Sequence, residues 1–316
     1  MNILVIGSFA TVWFCLWIVC SLTLTGVYPL IRRGLCKLDP AYASATLLGI
    51  SAVPMIFSFI CSALLFFPAA ETLLVREHCH TNCGTHLPLV NSAFVAWPGI
   101  VLLAGMLSLF LIRAWQQVAS TRKFTRQLYA LSDKSQQGES RLLHDQTPLI
   151  FTVGFTRNTI FLSDGLRSAC NDEELNIVFA HEEAHVKRKD NLRLLLARLF
   201  SLPIPNRVAA ILHDDLKLFT ESACDAWAAK RFDKFLVAET FLKIQRLVPR
   251  LNQSLYSVSS IHGADIENRV VTLLNHDRLR KPPIAITTAF VVFGVCLLGA
   301  CIDPLHHLIE LVLQNV

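Results

Sequence analysis

The amino-acid sequence predicts a mainly α membrane protein, with four transmembrane helices and a folded α+β domain between helices three and four. Three observations lead there: a composition too apolar for water, four long uncharged runs, and one charged interval of ordinary globular composition. Apolar residues make up 53 % of the 316-residue chain and charged residues 17 %, against roughly 25 % charged in soluble proteins. Mean hydropathy is positive, at +0.46.

The uncharged runs are 2–31, 40–70, 87–112 and 282–302. Each reaches the ~20 residues that a helix needs to cross ~30 Å of hydrocarbon. The first lacks a basic leader and is too long for a cleavable signal peptide. Every lysine and arginine except Arg76 falls within 32–39 or 113–281. The positive-inside bias therefore places those two regions in the cytoplasm of a bacterial plasma (inner) membrane, with both termini and loop 71–86 outside. Three regions follow: 1–113 with three spans, a cytoplasmic domain over 114–281, and 282–316 with the fourth span and a short outer tail. The net charge of +5 is explained by this topology, so no direct nucleic-acid partner is expected. The spans carry no charged residue of the kind that marks ion and substrate pathways, which argues against a transporter.

Ten cysteines are present. Cys15, Cys20, Cys61, Cys296 and Cys301 lie in or beside spans as small apolar fillers. Cys36, Cys170 and Cys224 are expected reduced in the cytoplasm. Cys79 and Cys83 in HCHTNCGTH lie outside, where they either form a small disulfide loop or join His78, His80 and His86 around a metal.

Within 113–281 the stretch 114–131 reads as a helix running off span three, and 132–140 (SDKSQQGES) as a loop. Leu149–Val153 and Thr159–Leu162, separated by GFTRN, read as a hairpin or sheet edge. Asn171 followed by Glu174 forms a capping box, with Asp172 and Glu173 at the positive end of the dipole. A helix is predicted from there to about 200, with a break near Asp190. Further helices are predicted at about 206–232, 235–248 and 264–275.

The helix that begins at Asn171 carries His181-Glu182-Glu183-Ala184-His185. Histidines four apart project from one helix face, so both can reach one Zn²⁺. Glu182 is placed to act as general base toward a zinc-activated water. Glu183 points elsewhere and is given no catalytic role. Downstream, Glu221 and Asp225 lie one turn apart. Glu221 completes a His₂Glu ligand set that leaves one position open, and Asp225 is placed to hold an imidazole N–H from behind. Without a metal, these residues read as solvated histidines and an acidic pair on helix surfaces.

HEEAHVKRKDN followed by ESACDAWAA resembles the M56 family of membrane metallopeptidases, the group of the BlaR/MecR-type antibiotic-resistance signal transducers. The family pattern H-E-x-x-H-x-x-R-x-D falls on His181, Glu182, His185, Arg188 and Asp190, and its later glutamate with C-D on Glu221, Cys224 and Asp225. The resemblance implies a gluzincin-type, zincin-like domain with His181, His185 and Glu221 on zinc and Glu182 as base. The substrate it implies is a protein or peptide, such as a transcriptional repressor or the chain itself. It also implies an edge strand near Thr159–Leu162 that pairs with an extended substrate. CAAX-type and HtpX-like M48 proteases share this zinc logic, but Arg269 and His262 are not spaced as in the M48 pattern, and Arg269 reads better as a structural ion-pair residue. The penicillin-sensor domain of the antibiotic sensors has no counterpart in the short stretch after Ile302. The rival reading is a signalling scaffold or sensor whose zinc site cleaves little. Membrane lipid surrounds the spans on either reading, and a homo-oligomer is compatible with both.

Overall fold

The computed structural model describes residues 3–67, 93–134, 140–247, 263–276 and 279–281, with isolated positions between 296 and 308. The expected fourth span, loop 71–86 with Cys79 and Cys83, and His262 lie outside the described residues, apart from a few helical positions near 300.

Among the described residues three helices are long and apolar enough to cross a membrane: α1 (Ile3–Leu35), α2 (Pro40–Leu65) and α3 (Ala93–Ala130). Asp39 caps α2, accepting from the Ala41 amide at 2.9 Å just before Pro40, whose missing N–H costs nothing in a first turn. α1 packs against both α2 and α3. At Gly99 of α3 any side chain would collide with Thr11 and the Gly7 carbonyl of α1, so a glycine is what lets these backbones approach. α3 runs without interruption past residue 113 to Ala130.

The chain then forms β1 (Ser132–Lys134), β2 (Arg141–Leu143), β3 (Ile150–Val153) and β4 (Thr159–Ser163), in the sheet order β1-β2-β4-β3. β3 and β4 form the expected antiparallel hairpin, and β2 runs parallel to β4. Two expectations are corrected here. The stretch 132–140 is not wholly loop, because Ser132–Lys134 pairs with β2. Arg141 secures that pairing by donating to Ser132 Oγ at 2.8 Å and lying over the Tyr129 ring. The strand at Thr159–Leu162 is also not an edge. β2 covers one side of it, so among the described residues the sheet's edges are β1 and, beside β4, Ile150–Val153.

Side chains alternate across the sheet as pleating requires. Leu143, Phe151, Val153 and Phe161 pack with Phe124 and Leu128 of α3. Leu142, Ile150 and Leu162 face the other core, built with α5 (Asp172–Arg188), α8 (Lys234–Leu247) and α9 (Gly263–Leu274). A short helix α4 (Asp164–Ala169), capped by Ser163, links the sheet to α5. After α5 come α6 (Asp190–Phe200) and α7 (Asn206–Ala228). Their apolar faces meet the ends of the spans: Tyr28 and Leu35 of α1 and Ala43 and Leu47 of α2 pack with Ala197, Leu212, Leu216 and Phe219.

Candidate metal centre

The site begins with the start of α5. Asn171 accepts from the Glu174 amide at 2.8 Å and Glu174 accepts from the Asn171 amide at 2.9 Å, a complete capping box. This fixes the helix phase. Leu175, Ile177, Val178, Ala180 and Ala184 enter the core; His181 and His185 sit on the face toward α7 and Glu182 turns toward β3, all three buried. α7 presents Glu221 and Asp225, also buried.

His181 Nε2 lies 3.2 Å from His185 Nε2 and 3.5 Å from Glu221 Oε2, while His185 Nε2 lies 3.7 Å from Glu221 Oε1. Ligands bound ~2.0–2.1 Å from a tetrahedral ion stand roughly 3.3 Å apart. The two Nε2 atoms stand at such an edge length, and the Glu221 carboxylate turns one oxygen toward each imidazole, so one ligand atom from each of the three residues lies within 4.8 Å of the others. Glu221 Oε1 is buried with no hydrogen-bond partner among the described residues, as a lone pair kept for a cation would be. The residues therefore fit a zinc ion.

Behind each imidazole stands an aspartate held by arginine. Asp225 Oδ1 is 3.0 Å from His181 Nδ1, off the best hydrogen-bond line, and Arg269 grips Asp225 with Nε at 2.8 Å and Nη2 at 2.6 Å. Asp190 Oδ2 is 3.0 Å from His185 Nδ1, with Arg188 and Arg193 each 3.2 Å from its other oxygen. Arg269 also reaches Glu221 at 3.3 Å, so it is a buried ion-pair residue. Cys224 Sγ lies 3.4 Å from His185 Nδ1 and 3.5 Å from Asp190. That trio could ligate a metal by spacing alone. The two guanidiniums on Asp190 make it a poor place for a second cation, and burial pushes the Cys224 thiol up, away from the thiolate a metal needs.

Electrostatics say the same of the histidine pair. Burial disfavours charge on His181, yet Asp225 and Glu221 outweigh it and push its pKa up to about 9. His185 is raised too, with Glu221 and Asp190 overcoming burial. Burial would raise Glu221, but His185, Arg269 and His181 hold it far below the usual carboxylate range, and Asp225 is lowered by Arg269 and His181 in the same way. The surrounding carboxylates thus favour positive charge between the imidazoles, the charge that a bound cation would supply.

Glu182 Oε2 accepts from Thr152 Oγ1 at 2.7 Å, which ties it to the edge strand. Asn191, just past the α5–α6 break, donates to the carbonyls of Thr152 at 3.1 Å and Gly154 at 3.0 Å and holds that strand in place. Nothing local in the sequence marks Thr152 or Asn191 for these contacts. The break is made by Lys189, whose φ of 53° is left-handed and whose amide closes the helix onto His185 and Val186 carbonyls. Glu183 points away, pairing with Lys187 at 2.8 Å and Arg231 at 2.7 Å. Thus His181, His185, Glu221 and Asp225 meet in one cluster, and Glu182 lies beside it, near enough for its charge to act on His185 while it bonds to Thr152.

A family model described as BlaR1 peptidase M56 matches residues 85–273, well over half of the chain. No curated protein matches it.

Proposed function

Because this chain belongs to the M56 family of peptidases, we propose that it is a membrane-embedded zinc metalloendopeptidase that hydrolyses peptide bonds of a cytoplasmic or membrane-proximal protein. The observation that carries the reading is the buried convergence of His181, His185 and Glu221, with one ligand atom from each within 4.8 Å of the others and Glu182 on the same helix as the histidines. Zinc, when bound, supplies a Lewis acid that polarises the scissile carbonyl and makes water acidic enough to attack at neutral pH.

The chain's own residues supply the rest. Glu182 accepts the proton of the attacking water while the water oxygen bonds to the carbonyl carbon. As the carbon–nitrogen bond breaks, Glu182 returns that proton to the departing amine. The 2.7 Å bond from Thr152 fixes one carboxylate oxygen and leaves the other for this transfer. Asp225 and Asp190 stand behind His181 and His185 and orient them, so that both Nε2 atoms would be free to hold the ion.

On this reading 114–281 is the cytoplasmic protease domain, 282–302 is a fourth span, and both termini lie outside. The substrate is a regulatory protein such as a repressor, or the chain itself; lipid covers the spans, and nucleic acid is not a direct partner.

The test compares zinc content and cleavage for wild type and Glu182→Gln in detergent. The variant should keep about one zinc per chain and lose activity by ~10²–10⁴-fold, the range of general-base loss. Absence of zinc from wild type would sink the site assignment. Zinc in both proteins with cleavage in neither would favour the scaffold reading.

A further inference from the structure

A cavity of about 540 Å³ opens beside the edge strand, within the ~300–1,000 Å³ range of small-ligand sites. Its walls come from four elements: Phe124 of α3, Thr152 to Phe155 at the β3 turn, Asn191 to Arg198 of α6, and His213 to Lys217 of α7. Thr152 belongs both to this wall and to the Glu182 hydrogen bond, so the cavity lies one side chain from the proposed base.

Backbone pairing can bring a peptide only part of the way in. The Ser163 amide donates to the Leu149 carbonyl at 2.9 Å. That parity turns 149, 151 and 153 toward β4, and turns Ile150, Thr152 and Gly154 to the free edge. The outward carbonyls of Thr152 and Gly154 are already taken by Asn191. A peptide that runs past Thr152 therefore meets carbonyls already engaged, and its side chains carry more of the recognition there.

The lining charges say which side chains fit. Arg198 and Lys217 pair with no carboxylate among the described residues, and Asp214 is the one acid in the wall. His213 is bonded to Ser201 at 3.0 Å, and burial together with Arg198 pushes its pKa down to about 4, so it is neutral. Phe124, Phe155, Leu194 and Leu195 make the remainder apolar.

We propose that this cavity is a specificity pocket that takes an acidic side chain of an extended peptide substrate, its carboxylate held between Arg198 and Lys217. The proposal rests on the peptidase reading for its substrate class, and on the cavity for the charge preference.

The test uses the full chain, zinc-loaded in detergent, with fluorescein-labelled decapeptides of otherwise uncharged sequence that carry Glu, Gln or Lys at one scanned position. In the Glu182→Gln background, Glu at one position should bind about tenfold tighter than Gln, the scale of one charge-assisted contact, and Lys should bind weakest. Arg198→Glu/Lys217→Glu should reverse the order. Equal binding of Glu and Gln peptides, no binding of any peptide, or a Glu preference that survives the reversal would overturn the pocket. Zinc content and thermal midpoint report whether the reversal variant folds. If it does not, Arg198→Gln/Lys217→Gln decides, with the Glu/Gln ratio expected to fall to about one and a persisting ratio counting against the pocket. Wild type on the same peptides separates the two claims. Cutting that ignores Glu leaves hydrolysis standing without the pocket, and selective binding without cutting leaves the pocket standing without hydrolysis.

Discussion

The two nitrogens of each site histidine face different chemistry. Nε2 of His181 and of His185 face one another at 3.2 Å, while each Nδ1 lies 3.0 Å from an aspartate. Asp190→Asn keeps the shape but removes the charge that holds His185, and zinc affinity should fall about 10–100-fold, read by chelator competition. An unchanged affinity would show that Asp190 serves only Arg188 and Arg193. The pH dependence has a definite sign. In metal-free protein His181 titrates at about 9 against an ordinary 6.5. A group raised in the folded state contributes stability that is complete below its unfolded pKa and lost as pH rises through its folded one. Metal-free protein should therefore lose thermal stability between pH 6.5 and about 9. Zinc affinity should climb over the same interval, because each ion displaces protons, and level off above it. Chelator competition and thermal scans at stepped pH check both, and a flat affinity profile would refute the competition between protons and zinc for these imidazoles. Of the site residues, His181, Glu182 and His185 were legible from spacing within one helix. Thr152 was not, since a threonine in a strand carries no sign of the carboxylate it will meet 30 positions away.

At the scale of elements, the α5–α6 break turns on Lys189, the one non-glycine residue with positive φ among those described. Glycine there removes a steric cost, so Lys189→Gly should change stability by no more than about 1 kcal/mol. Lys189→Val puts a branched Cβ into the left-handed region, at ~1–3 kcal/mol. Because Lys189 sets Asp190 against His185, the valine variant should also lose zinc faster when dialysed against chelator, and retention equal to wild type would separate the break from the site. The start of α5 could be read in advance, because Asn171 and Glu174 cap each other three residues apart. The sheet could not. β1 and β2 are three residues each, too short to show alternation, and their pairing leans on Arg141. The resemblance implied an edge at β4, and β2, too short to read in the sequence, is what covers it.

Across the whole molecule, the spans and the metal helices share contacts. Asp215 of α7 is buried and accepts from Tyr28 at 2.7 Å and from Arg32 at 2.6 and 2.9 Å, both on α1. From α2, Ser44 accepts from Arg188 at 2.8 Å, and Arg188 in turn pairs with Asp190 behind His185. Asp215→Ala leaves the Tyr28 hydroxyl and the Arg32 guanidinium without this acceptor, and should lower stability by roughly 1–3 kcal/mol, seen as a lower thermal midpoint in detergent. An unmoved midpoint would mean that the apolar contact of Tyr28, Leu47 and Leu212 holds these helices together by itself.

The sequence by itself determined whatever is written locally along the chain. Uncharged runs long enough to span lipid, a capping box, and two histidines one turn apart around Glu182 are patterns within a few residues, and α-helical geometry converts them directly into structure. Only the tertiary structure decided which strand is the edge, that Asn191 takes its outward carbonyls, and that Arg269 stands behind Asp225. It also decided that the end of α1 around Tyr28 and Leu35 and the start of α2 pack on α6 and α7. These depend on residues dozens to more than a hundred positions apart, and no local propensity encodes which buried polar group will meet which; packing settles it, since each charge taken out of water must find a partner.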